Sequence, residues 1–192
     1  MVLFKVALVG HSLIPRHLYV DRCEIRIFRA PGARTHEFGR NDALRPALDW
    51  QHDLTILYLG GNDVTPTCRV KKIADNIEKL VKTFQERCES EVAIVLLEKR
   101  YVGYEELGIP VGVRLPRISE SHYKTVASAI NTRLKRRLRG HKFFHHGARP
   151  FTVRLQPDGV HFNSQAREMQ RNLYCEYIAE KRDAFFRNLG LQ

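Results

Sequence analysis

A serine closing an apolar run, a glycine in a short loop, an asparagine after paired glycines and an Asp-x-x-His near the carboxyl end are the residue types that acyl transfer from an ester requires. They occur in that order within VALVGHSL (Val6 to Leu13), APGA (Ala30 to Ala33), LYLGGND (Leu57 to Asp63) and PDGVHFN (Pro157 to Asn163). A serine hydroxyl is a weak nucleophile at neutral pH, so it needs a base within hydrogen-bond reach and a third group to orient that base. Ser12, His161 and Asp158 match these three roles. Attack on an ester carbonyl creates an oxyanion, which must meet preorganised donors. The backbone N–H groups of Ser12 and Gly32 and the side-chain amide of Asn62 are the candidates, glycine because bare backbone approaches a substrate closely and asparagine because it donates without charge. Such chemistry calls for neither a metal nor a cofactor. Each segment alone is ordinary turn chemistry, and the ordered set is what carries meaning.

Positioning four such segments calls for strands that end where the segments begin. Leu3 to Val9, Glu24 to Phe28, Leu54 to Leu59, Val92 to Leu97 and Lys142 to His145 read as strands, the third and fourth as near-continuous apolar runs buried on both faces of a parallel sheet. Gly10 permits the sharp turn that exposes Ser12 at a strand's carboxyl end, where open α/β sheets place their sites. Val70, Ile73, Ile77, Leu80, Val81 and Phe84 form one face of an amphipathic helix. Further helices are predicted over Ser121 to Leu138 and Ser164 to Leu189, the latter with Ser164 as N-cap. Alternating strands and helices predict a parallel α/β sandwich. The stretch from Lys99 to Glu120 is a long loop whose Tyr101, Tyr104, Leu107 and Ile109 either line an acyl pocket or pack on the surface.

With these residues in hand, the chain resembles the SGNH hydrolases, the superfamily that includes the GDSL lipases and esterases. Its four signature residues match Ser12 in GHSL, Gly32 in PGA, Asn62 in GGND and His161 in DGVH, with Asp158 three residues before the histidine. The resemblance spans residues 3 to about 180. It implies a three-layer α/β sandwich with a five-stranded parallel, flavodoxin-like sheet and helices on both faces. It also implies a carboxylic ester hydrolase acting through an acyl-enzyme on a short acyl ester, an acetylated sugar or a lipid. One departure is plain: position 11 is His where the first block most often has Asp, which puts in question the hydrogen bonds that brace the nucleophile turn. A narrower resemblance follows from the GHSL start, the basic excess and the lack of a secretion signal. In these the chain is similar to the esterase domain of the first-reading-frame protein of certain animal non-LTR (LINE) retrotransposons, which implies a companion of reverse transcription acting on lipid or acylated substrates.

At 192 residues the chain suits one SGNH domain spanning 1–192, and its abrupt start at the first strand is the pattern of a domain excised from a longer protein. MVLFKVALVG is read as a strand rather than a signal peptide, because Lys5 interrupts a short apolar run and no small-residue cleavage site follows. No stretch approaches a membrane span. Cys23, Cys68, Cys88 and Cys175 are scattered without metal or disulfide spacing, which fits a reducing intracellular, cytoplasmic setting. The remaining histidines show no metal-ligand periodicity. Net charge is +11, from 32 Lys and Arg against 21 Asp and Glu. Such a field attracts polyanions, and Arg133, Lys135, Arg136, Arg137 and Arg139 form its densest cluster, a candidate surface for RNA or anionic membrane. A solvated helix end accounts for the same cluster equally well. The competing function is therefore a nucleic-acid- or membrane-binding module on an esterase-like scaffold, against which stands the intact set of four blocks.

Overall fold

The computed structural model describes residues 2–98, 118–145 and 161–191. Five strands, β1 (Phe4–Gly10), β2 (Cys23–Arg29), β3 (Leu54–Tyr58), β4 (Glu91–Val95) and β5 (Phe143–Phe144), form one sheet in the order β2-β1-β3-β4-β5. Every pairing is parallel, with Val6 opposite both Ile25 and Leu54, and Ile56 opposite Ala93. The expected five-stranded parallel α/β sheet is thus observed, with the first strand in sequence, β1, lying between β2 and the central β3.

Side-chain alternation divides the core into two layers. Val6 and Leu8 of β1 face one layer, and Ala7 and Val9 face the other. The Ala7 and Val9 side packs against α1 (Val70–Cys88) and α2 (Glu120–Arg137), which bury Ile73, Ile77, Leu80, Val81 and Phe84 from the first helix and Tyr123, Val126, Ile130 and Leu134 from the second. The Val6 and Leu8 side packs against α3 (Ser164–Asn188) through Ala166, Tyr174, Tyr177 and Ile178. Burying an aliphatic side chain of this size contributes about 1.5–3 kcal/mol, so each face of β1 alone anchors its helix layer strongly.

Helix α3 corrects one sequence expectation. Its N-cap is Asn163, whose Oδ1 accepts from the Ala166 N–H at 2.9 Å, rather than Ser164, which opens the helix. Buried Phe162 anchors the preceding residue and Asn163 has extended backbone, so its side chain sits one position earlier and reaches the third helical amide. At the amino ends of β3 and β4 a polar chain closes the core. His52 Nδ1 lies 2.5 Å from the Trp50 carbonyl, its Nε2 2.7 Å from Thr55 Oγ1, and that hydroxyl 2.8 Å from Ser90 Oγ. All three side chains are buried, and each satisfies another.

Candidate active site

Neighbouring strands β2, β1 and β3 end at the same edge of the sheet, so the segments that follow them meet there. The β1 segment must turn tightly. A Cβ on Gly10 would stand 2.5 Å from the Tyr58 carbonyl oxygen and 2.8 Å from Ile14 Cγ2, so only glycine lets β1 leave the sheet beside β3. The His11 N–H donates to the same Tyr58 oxygen at 3.3 Å, and the Ala30 N–H donates to Gly10 O at 3.0 Å. Each segment is therefore tied to the strand beside it as it begins.

His11, the departure from the usual Asp, is fully buried with its ring 4.7 Å from that of Tyr58. Its Nδ1 accepts from the Leu13 N–H at 3.3 Å, an i to i+2 bond of the kind an Asx side chain makes. The imidazole thus braces the serine turn as a carboxylate would, and this bond assigns the ring proton to Nε2. From the other side the Arg29 guanidinium donates through Nη2 to the Ser12 carbonyl at 3.0 Å. Ser12 is held from both flanks and remains half-buried.

Gly32 is exposed with φ of +78°, a left-handed conformation that favours glycine. The next residue, Ala33, accepts from Asn62 Nδ2 at 3.1 Å, which joins the second and third segments directly. Asn62 sits in a single 3-10 turn, Gly61–Asp63, entered through Gly60 at φ of +107°. Behind it the Asp63 carboxylate accepts from the Thr35 N–H at 2.9 Å and from Thr35 Oγ1 at 2.8 Å. Burial raises the Asp63 pKa above the ordinary carboxylate value, against the lowering effect of the Thr35 hydrogen bonds and nearby His36. Asp63 therefore ties the turn after β3 to the loop that follows Gly32.

His161 lies just before α3 and shares a cavity of about 130 Å³ with Ser12. Phe162, buried in the α3 layer, anchors it, and Arg167 Nε donates to the Phe162 carbonyl at 2.9 Å. Of the sequence candidates, Ser12 and His161 meet at one cavity, and Asn62 is bonded to the residue after Gly32. Asp158 lies outside the described residues, as does most of the long loop from Lys99 with its Tyr101, Tyr104, Leu107 and Ile109.

No family model and no curated protein sequence matches the chain. Solved structures do. A GDSL-like lipase from Bacteroides thetaiotaomicron superposes with a TM-score of 0.64 at 13% identity, covering 92% of this chain and 88% of that one. A carbohydrate esterase family 3 protein from Talaromyces cellulolyticus gives 0.66 at 15% identity, covering 95% and 99%. An acetyl esterase mutant with an acetate ion gives 0.63 at 14% identity, covering 95% and 100%. The chain has the GDSL-type hydrolase fold.

Within that GDSL-type fold, arginines outside the four sequence blocks stand around Ser12. Arg16, Arg167 and Arg171 line the serine cavity, and Arg29 touches the Ser12 backbone. Their sequence signal is proximity: four residues after Ser12, six and ten after His161, and the last residue of β2. Burial, together with the charges of Arg16 and Arg167, holds the Arg29 guanidinium below its ordinary pKa. In the separate basic cluster, Lys135, Arg136 and Arg139 are exposed, whereas Arg137 pairs with Asp75 and Glu78 of α1.

Proposed function

We propose that the chain is a serine ester hydrolase working through an acyl-enzyme. The observation that carries this reading is the pairing of Ser12 and His161 on one cavity, beside a loop pair joined by the Asn62 to Ala33 hydrogen bond. Ser12 Oγ attacks the ester carbonyl carbon while His161 takes its proton, and Asp158 orients the imidazole and stabilises its charged form. The oxyanion accepts from the Ser12 and Gly32 backbone N–H groups and from Asn62 Nδ2, whose bond to Ala33 O orients the amide. Collapse breaks the carbon–oxygen bond, and His161 returns the proton to the departing alcohol. Water then attacks the acyl-serine with His161 as base, releasing the acid and restoring Ser12. The likeness to GDSL-type structures supports the hydrolase class, and the retrotransposon resemblance points to acyl lipids as its substrates.

Purified protein should release p-nitrophenol from short p-nitrophenyl esters and should react with a fluorophosphonate probe. Ser12→Ala should abolish both while leaving the circular dichroism spectrum unchanged. Turnover at wild-type level in that variant would sink the mechanism. A second, compatible property is polyanion binding through exposed Lys135, Arg136 and Arg139. Replacing these three with Ala should flatten the salt dependence of binding to RNA or anionic vesicles, and an unchanged slope would make the cluster a solvated face.

A further inference from the structure

We infer that the Ser12 cavity selects esters bearing an anionic group, a phosphate or a carboxylate, close to the scissile bond. This inference rests on the reading of Ser12 as nucleophile and names the substrate class that reading leaves open. The walls around Ser12 and His161 carry Arg16, His17, Arg167 and Arg171, and among the described residues no Asp or Glu lines them. Four arginines elsewhere pair with carboxylates: Arg26 with Glu24, Arg87 with Asp49, Arg137 with Asp75 and Glu78, Arg182 with Asp183. Among the described residues, the arginines at the serine pair with none. Arg167 and Arg29 donate only to the neutral carbonyls of Phe162 and Ser12. Arg29 Nε is buried without an acceptor among the described residues.

Cations gathered around one cavity repel one another, and a bound anion relieves that repulsion while accepting their hydrogen bonds. Guanidinium groups suit the role because they remain charged and match the oxygens of phosphate or carboxylate in pairs. Arg16 and Arg171 are exposed, so their removal tests the charge without disturbing the core.

The test compares p-nitrophenyl acetate, which is neutral, with mono-p-nitrophenyl adipate, which carries a carboxylate on an acyl part too long for that carboxylate to expel p-nitrophenol by ready ring closure. The wild-type kcat/KM ratio should favour the anionic ester. In Arg16→Gln/Arg171→Gln that ratio should fall by about tenfold or more, the scale of losing charge-assisted hydrogen bonds. The charge-matched control Arg45→Gln/Lys79→Gln, on exposed positions outside the cavity lining, should keep it. Calorimetry on Ser12→Ala protein gives a readout independent of turnover: inorganic phosphate, glycerol 1-phosphate or succinate should bind, and bind about tenfold more weakly when Arg16→Gln/Arg171→Gln is added. Tightest binding by glycerol 1-phosphate indicates a lipid headgroup as the source of charge, and tightest binding by succinate a dicarboxylic acyl group. Ser12-dependent hydrolysis with no anion binding, or with a ratio that the arginine variant does not move, overturns this inference and leaves the esterase reading intact. Anion binding without Ser12-dependent hydrolysis overturns the esterase reading, and with it the anion's place in a substrate.

Discussion

The imidazole of His11 and the amide of Asn62 each do a job that neighbouring residues depend on, and both jobs can be separated by substitution. His11 Nδ1 accepts the Leu13 N–H and so fixes the turn that presents Ser12. His11→Ala should lower kcat by roughly tenfold, because losing one neutral hydrogen bond costs about 1 kcal/mol. His11→Asn should restore much of the rate, since a carboxamide oxygen can accept the same amide. Steady-state kinetics on the pair checks this, and failure of the Asn variant to exceed Ala would show that ring packing on Tyr58 matters more than the acceptor. Asn62→Ala should lower kcat by about 10² to 10³ with little change in KM, the usual effect of deleting an oxyanion donor. A change under about threefold would reduce Asn62 to a tie between loops, holding the Ala33 carbonyl.

Strands explain which parts of the candidate site are legible in the sequence and where legibility stops. LYLGGND and VALVGHSL each contain both a buried strand and the turn that ends it, so their chemistry and their placement are local and visible in one stretch of residues. Gly10 shows how tightly the two are coupled. Gly10→Ala would drive a Cβ into the Tyr58 backbone oxygen, and backbone cannot swing aside as a side-chain tip can. The substitution should destabilise the fold by about 1–3 kcal/mol or more and reduce activity together with it, measured as a lowered urea midpoint. The arginines around Ser12 were not legible in this way. Arg29 reaches the Ser12 carbonyl from the next strand and Arg167 comes from α3, and composition reports the number of charges but not which of them converge. The cap of α3 was misplaced by one residue for a related reason, since Asn163 and Ser164 are both good caps and only the anchoring of Phe162 decides between them.

For the molecule as a whole, two buried titratable groups pull stability in opposite directions with pH. Burial lowers the His52 pKa from an ordinary value of 6.5, against the Trp50 carbonyl and Asp53. The unfolded chain therefore takes up that proton first, so the His52 contribution is complete above the unfolded value and is lost as pH falls through it. Asp63 has the reverse sign: its raised pKa means that the folded state binds the proton more readily, so its contribution is greatest below the ordinary value of 3.8 and declines as pH rises through the folded value. Melting temperatures measured from pH 4 to 8 should show a shallower acid decline in His52→Gln and a steeper one in Asp63→Asn than in wild type. Parallel curves for all three proteins would mean that neither group couples to folding. A different consequence follows from the two-layer core. Ser12, Gly32 and Asn62 all come from the first third of the chain and are cross-tied there, whereas His161 is held by the α3 layer on one face of the sheet. On the esterase reading, a growing polypeptide would carry its nucleophile and oxyanion donors in place while still inert, and would become competent only when α3 docks against β1. Catalysis would then report the docking of α3 itself, and its loss in mild denaturant would mark the release of that one helix before the α1 and α2 side lets go.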